Sequence, residues 1–239
     1  MIASDKYRDR VAIVTGARRG IGKMMATHFL SEGATVIGLA RGEPAWEHER
    51  YTQFSLDVGN DEAVRATFQK IARQFPRLDI LVNNAAVLTS QHLLLMPGAA
   101  ARDMVTTNIL GLLFASREAA KLMIRKKYGR IINIGSMAAS LEPIGDSVYA
   151  ATKTAAMTLS GILAKEFARF NITINTLGVT AFPTDMLEQL PKDKIAAVIA
   201  ALPLPRYATE DDILNVLDFF ASERSSYVTA QTVFLGGVH

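Results

Sequence analysis

Short apolar runs alternate with longer amphipathic stretches along this chain, and that alternation limits its fold more than any other feature. The runs at residues 11–15, 35–40, 52–56, 79–83, 130–135, 172–177 and 232–235 have few polar positions in alternation. Strands buried on both faces read this way, because a strand with one wet face would alternate. The stretches at 20–32, 61–74, 99–126, 147–170 and 210–221 are read as helices. Strands and helices in turn predict a parallel sheet with helices on both faces. Between 41 and 51, Gly42, Pro44 and the sole tryptophan, Trp46, break any crossover helix, so a loop or single turn is expected there.

A chain of 239 residues with 49% hydrophobic residues suits one domain spanning 1–239, with enough apolar mass for a core. The net charge of +3 is mild, and no unbroken basic tail suggests nucleic-acid binding. There is no cysteine, so disulfides and thiolate metal sites are excluded. The histidines, His28, His48, His92 and His239, show no metal-ligand spacing. The polar N-terminus lacks a signal-peptide apolar region, and no apolar run approaches a membrane span. A cytoplasmic protein without membrane or metal is expected.

Two motifs carry chemistry. Thr15-Gly16-Ala17-Arg18-Arg19-Gly20-Ile21-Gly22 leaves the first strand and opens the first helix. Glycines there permit a tight turn and close backbone approach to a pyrophosphate, which the helix N-terminus attracts. That context predicts a doubly wound Rossmann fold of seven parallel strands. Further on, Tyr149 and Lys153 stand at i and i+4, with Ser136 thirteen residues before Tyr149. A phenol and an ammonium at that spacing share a helix face. The cation favours the phenolate and lowers a pKa that is ordinarily about 10, giving a general acid/base for an alcohol or ketone.

The second strand ends Gly38-Leu39-Ala40-Arg41, without the acid that would hold an NAD ribose. Arg41, with Arg19 expected on the same side, matches a 2′-phosphate in geometry and charge.

Together with Asn83-Asn84-Ala85-Ala86 and Asn108, these motifs stand in the order and spacing of the short-chain dehydrogenase/reductases, which the whole chain resembles. Within that family it looks most like the 3-oxoacyl-acyl-carrier-protein reductase branch. The segments 175–177, 184–186, 202–207 and 227–232 carry the narrower likeness. The resemblance implies NADP(H) as cofactor. It implies Tyr149 as proton donor to a ketone, Ser136 holding the carbonyl oxygen, and Lys153 lowering the tyrosine pKa and binding the nicotinamide ribose. Asn108 would support a water leading from Lys153 to solvent. Asp57, Val58, Asn84 and Ala85 would flank the adenosine, and Val179 and Thr184 the nicotinamide.

The chain departs from the family pattern in four places, one being Gly236-Gly237 where Asp-Gly-Gly is common. Val179-Thr180 replaces Pro-Gly, where threonine lacks glycine's access to positive φ; Ala86 and Ala230 replace frequent glycines. Residues 183–203, rich in Leu, Ala and Ile, would form a lid suited to an apolar or thioester-linked substrate. The basic run Arg125-Lys126-Lys127-Tyr128-Gly129-Arg130 offers docking to an acyl carrier protein. In the family that the chain resembles, helices such as those at 99–126 and 147–170 pair between subunits, so the resemblance implies a homodimer or homotetramer. The rivals are a dehydrogenase of a sugar, cyclic diol or hydroxysteroid, and a non-catalytic dinucleotide-binding regulatory protein.

Overall fold

The computed structural model describes residues 5–189 and 192–238. Residues 190 and 191 of the expected lid, and His239, lie outside the described residues. The strands are β1 (Val11–Thr15), β2 (Thr35–Ala40), β3 (Tyr51–Ser55), β4 (Ile80–Asn83), β5 (Gly129–Ser136), β6 (Ile172–Val179) and β7 (Thr232–Phe234). They form one sheet in the order β3-β2-β1-β4-β5-β6-β7, and all its pairs are parallel. Helical structure occupies all five expected stretches, with α1 (Gly20–Ser31) and α2 (Asp61–Gln74) nearest the N-terminus. The second connection has no helix: residues 41–50 run as bends and turns.

Burial explains the pattern. Each residue of β1, β4 and β6 is buried, as apolar runs without alternation require. One core lies under α1 and α9 (Glu210–Ala221), around Phe29, Ile132 and Phe220. The other lies under α2, α4 (Leu112–Ile124) and α6 (Ser147–Phe167), around Phe68, Ile131 and Ile174. Local signals set helix starts: the Asn60 side chain accepts from the Ala63 N–H at 2.9 Å, and Thr209 and Asp212 form a capping box.

The expected helix at 99–126 is not continuous. α3 (Gly98–Val105) passes through a π-helical turn, Thr106–Gly111, into α4. Such turns are uncommon and frequent at functional sites; this one holds Asn108. Gly111 lets it approach the chain after β3, since a Cβ there would lie 2.7 Å from Val58 Cγ2. The expected helix at 147–170 ends at Phe167, with a 3-10 turn to Phe170. Three short helices lay outside the sequence reading: α5 (Ala138–Leu141), and α7 (Asp185–Glu188) and α8 (Lys192–Ala201) within the lid.

Candidate active site

The order of the strands reverses between β1 and β4. Open α/β sheets bind ligands outside the strands' C-terminal ends at such a point. Here a cleft of about 650 Å³ opens there, and every residue expected to hold the cofactor lines it, together with Ser136.

Its first wall is the β1–α1 turn. Gly16 sits at φ +69°, and a Cβ there would meet Asn84 Nδ2 at 2.8 Å. A Cβ on Gly22 would strike the Gly16 carbonyl at 2.3 Å, so α1 can close onto the turn only with glycine. Thr15 ties the turn to β4: its Oγ1 accepts from the Asn84 and Ala85 N–H groups, each at 2.9 Å. Asn84 Nδ2 donates to the Thr15 carbonyl at 2.9 Å. The first turn of α1 carries no acidic residue and no side-chain cap, so its N–H groups face the cleft as an anion cradle. These features fit a dinucleotide pyrophosphate.

The three arginines divide differently from the sequence expectation. Arg19 Nη1 donates to Asp185 Oδ2 at 2.9 Å, so it joins the turn to the lid helix α7. Arg18 instead leans over the chain beyond β2, its Nη1 3.7 Å from where a Cβ on Gly42 would stand. Arg18 and Arg41 are exposed, and neither meets a carboxylate among the described residues. Trp46 fixes this edge: its Nε1 donates to the Ala17 carbonyl at 3.1 Å, and its ring stacks on Tyr51 at 3.8 Å. Nothing in the local sequence marked Trp46 as the clasp of that loop. Asp57 Oδ1 accepts from the Gly59 N–H at 2.9 Å, which orients its carboxylate at the cleft wall.

At the other end, α6 and β5 bring Tyr149, Lys153 and Ser136 together. Tyr149 and Lys153 are 7% and 6% exposed. Burial pushes the Tyr149 phenol up to about 12, the Asp146 carboxylate adding to the rise and a hydrogen bond with Ser136 opposing it. Burial also pushes Lys153 down to about 8. The sequence expectation that Lys153 sets a low phenol pKa is therefore corrected for the protein alone. Desolvation dominates, and Lys153 Nζ lies 5.7 Å from the ring centre while donating to the Ile134 carbonyl at 2.8 Å.

Asn108, 4% exposed, does not line the main cleft. Its Nδ2 donates to the Val87 carbonyl and to Thr152 Oγ1, each at 3.0 Å, and its Oδ1 accepts from the Val87 N–H at 2.9 Å. Thr152 Oγ1 in turn donates to the Tyr149 carbonyl at 2.7 Å. The side chain thus braces the π turn against α6, the helix that carries Tyr149 and Lys153. Beside it lies a second cavity of about 10 Å³, lined by Asn83, Asn108, Gly111 and Lys153 among others. That is roughly the room one water needs, and Asn83 Oδ1 is buried with no partner among the described residues.

Two departures have structural answers. Thr180 is not among the residues at positive φ, so the loop after β6 carries it without backbone strain, its Cγ2 against Gly236. Ala230 does sit at φ +59°, where glycine would be at ease. The basic run fares worse. Arg130 is 1% exposed, its guanidinium over the Tyr128 ring, and the run opens β5 while Ser136 closes it at the cleft. Eight strand residues separate the two by about 23 Å. Carrier docking at that cluster therefore falls at the wrong end of the sheet.

Among the described residues, no group of three or more acidic or histidine side chains could hold a metal, and no helix is long and apolar enough to cross a membrane.

Comparison with known proteins agrees with this geometry. The family model for short chain dehydrogenases matches residues 10–195. The 3-oxoacyl-[acyl-carrier-protein] reductase of Escherichia coli is 32% identical over 237 residues, covering 97% of each chain. That of Pseudomonas aeruginosa is 34% identical over 237 residues, covering 95% of this chain and 96% of its own. Among solved structures, the aldohexose dehydrogenase of Thermoplasma acidophilum superposes with a TM-score of 0.90 at 28% identity, covering 98% of this chain and 95% of its own. A putative gluconate dehydrogenase from Agrobacterium tumefaciens gives 0.88 at 27%, covering 98% and 96%.

Proposed function

The chain belongs to the short chain dehydrogenase family, oxidoreductases that act on CH–OH groups with a nicotinamide dinucleotide, and we propose that it reduces a ketone to a secondary alcohol with NADPH, the ketone being a 3-oxoacyl thioester. The observation that carries this reading is the set of buried Tyr149 and Lys153 with half-buried Ser136 at the apolar end of the cleft.

Gly16, Gly20, Ile21 and Gly22 would cradle the pyrophosphate, and Arg18 and Arg41 the 2′-phosphate. Asp57, Val58, Asn84 and Ala85 would flank the adenosine; Lys153 would hold the nicotinamide ribose, with Val179 and Thr184 near the nicotinamide. The hydride for the carbonyl carbon is the cofactor's contribution. Tyr149, whose phenol is protonated at neutral pH, gives its proton to the carbonyl oxygen. Ser136 donates to the same oxygen and stabilises the charge that develops there. Lys153 favours the phenolate that remains, and a water in the small cavity beside Asn108 returns a proton from solvent.

The thioester class is supported by the reductases of similar sequence and by the substrate end of the cleft. Leu88, Leu141, Pro143, Ile195 and Val198 line it. A polyol needs convergent polar groups; the charged side chains at that end, Asp146 and Lys194, are engaged with each other, which weighs against the sugar dehydrogenases of similar shape. Exposed Val105, Leu110 and Ile162, on α3, the π turn and α6, support pairing of those helices in a homodimer or homotetramer.

The deciding experiment is a spectrophotometric screen of NADPH and NADH oxidation against 3-oxoacyl thioesters, cyclic ketones and keto sugars. NADPH-linked turnover highest with thioesters is expected. Highest turnover with keto sugars would overturn the substrate class. Binding without turnover across the panel would favour the non-catalytic reading.

A further inference from the structure

The lid sends a lysine to the catalytic helix. Lys194, on α8, donates from Nζ to Asp146 Oδ1 at 3.2 Å, to Ser90 Oγ at 3.2 Å and to the Ile144 carbonyl at 3.0 Å. Its side chain is 26% exposed, and that of Asp146 only 6%. Asp146 stands just before α6 but caps none of its N–H groups; its carboxylate accepts from Ser90 Oγ and from Lys194. Both residues line the same cleft as Tyr149.

The charges around Tyr149 come from few elements. Asp146, just before α6, precedes the phenol, and Lys153 on α6 follows it by one turn. α8 brings Lys194. β5 presents the Ser136 hydroxyl, and α3 packs the Met104 side chain near the ring, while its Asp103 accepts from Thr107. On α7, Asp185 is held by Arg19, and Glu142, after α5, is exposed. Asp146 is thus the carboxylate that bears on the phenol, and Lys194 is its ionic partner.

We infer that Lys194 is a positioning residue for Tyr149: seated on Asp146, it neutralises the carboxylate that opposes ionisation of the phenol, so lid closure and proton transfer at Tyr149 are linked. This rests on the ketone-reductase reading. With the lid lifted, Asp146 loses its cation and the phenolate is disfavoured, so Tyr149 is a poorer acid. With the lid seated, the Lys194 cation offsets part of the Asp146 charge beside the phenol, and the tyrosine releases its proton more readily. Proton transfer is then most favourable when α8 also covers the substrate.

The test is the pH profile of alcohol oxidation at saturating NADP⁺, in which Tyr149 must first lose its proton. Lys194→Met is expected to move the acidic limb of kcat to higher pH, by on the order of one unit. Asp146→Asn should move it to lower pH, the double variant should return towards the parent, and Lys194→Arg should match the parent. A limb unmoved in Lys194→Met, with only KM raised, would make Lys194 a simple tether and overturn the inference. So would shifts of the same sign in Lys194→Met and Asp146→Asn. If Asp146→Asn does not fold, the Met and Arg variants decide alone. A parent without turnover on any ketone or alcohol sinks the functional reading separately. The alkaline onset of tyrosinate absorbance, with Tyr149→Phe as the blank, then reads the inference: a later onset in Lys194→Met supports it, and an unchanged one overturns it.

Discussion

At the Tyr149 end of the cleft the tyrosine and lysine are buried and the polar side chains tied down, whereas at the Arg41 end two guanidinium groups stand in solvent with no carboxylate against them among the described residues. Lys153 is held by the Ile134 carbonyl, Asn108 by three hydrogen bonds, and Ser136 by the Ala138 N–H. Arg18 and Arg41 are held by little more than the backbone that Trp46 clasps. The contrast separates two ways of using charge. In the buried end desolvation sets the protonation states, so one atom decides the chemistry. In the exposed end the number of charges decides, and salt weakens their effect.

The largest expected effect breaks the buried end. Tyr149→Phe keeps the ring and its packing and removes only the transferable proton. Turnover should fall by about 10²–10⁴-fold, while the dissociation constant for NADPH stays close to the parent value. Near-normal ketone reduction by this variant would remove Tyr149 from its role.

The next effect tests the exposed end. Hydrogen bonds to charged groups contribute roughly 1.5–3 kcal/mol, so Arg41→Ala should weaken NADPH about 10- to 150-fold and leave NADH little changed. The structure adds a distinction that motif spacing did not supply. Arg18→Ala should show the same selective loss, whereas Arg19→Ala, whose partner is Asp185, should change NADPH and NADH affinity alike. Fluorescence titrations of both cofactors at two salt concentrations check this. An Arg19 variant selective against NADPH, with Arg18→Ala silent, would reverse the assignment.

This difference also explains how much could be read from the sequence. The sheet was legible because strands buried on both faces lack alternation, as in Val11–Thr15 and Ile172–Val179. The glycine turn at Gly16–Gly22 and the Tyr149–Lys153 pair were legible because their geometry is local, set by neighbours within one turn. The π turn was not: Thr106–Gly111 has ordinary helical composition, and only the distant partners of Asn108, Val87 and Thr152, show why it departs. Lys194 and Asp146 lie 48 residues apart and meet only through the lid, so spacing could not pair them. Arg18 and Arg19 are adjacent, and which one faces Arg41 depends on how the turn enters α1.

A smaller effect measures what burial imposes on the catalytic end. Lys153 falls from 10.5 to about 8 on burial. Between those values the unfolded chain binds more protons, so the penalty is full below about pH 8 and fades as pH rises towards 10.5. Lys153→Met should abolish turnover yet stabilise the protein at pH 7 by about 1–2 kcal/mol, after the lost bond to Ile134 is allowed for. Denaturant unfolding at pH 7 and pH 10 checks the sign: the advantage of the variant should shrink at the higher pH. An advantage that grew with pH would mean that the lysine is not buried as a charge at all.

The smallest effect lies outside both ends and calibrates them. Ala230 holds φ +59° just before β7, and its N–H donates to the Ile174 carbonyl at 2.8 Å, so the conformation is fixed by the sheet rather than chosen by the residue. The left-handed region costs an alanine about 1–2 kcal/mol, while glycine brings back an entropy cost of roughly 0.5–1 kcal/mol. Ala230→Gly should therefore stabilise the fold by about 0.5–1 kcal/mol, raising Tm by a few degrees at most, with kcat and both cofactor affinities unchanged. If this change moved cofactor binding as much as Arg41→Ala does, stability and affinity would be coupled across the sheet. Losses at the exposed end could then no longer be read as missing charge alone.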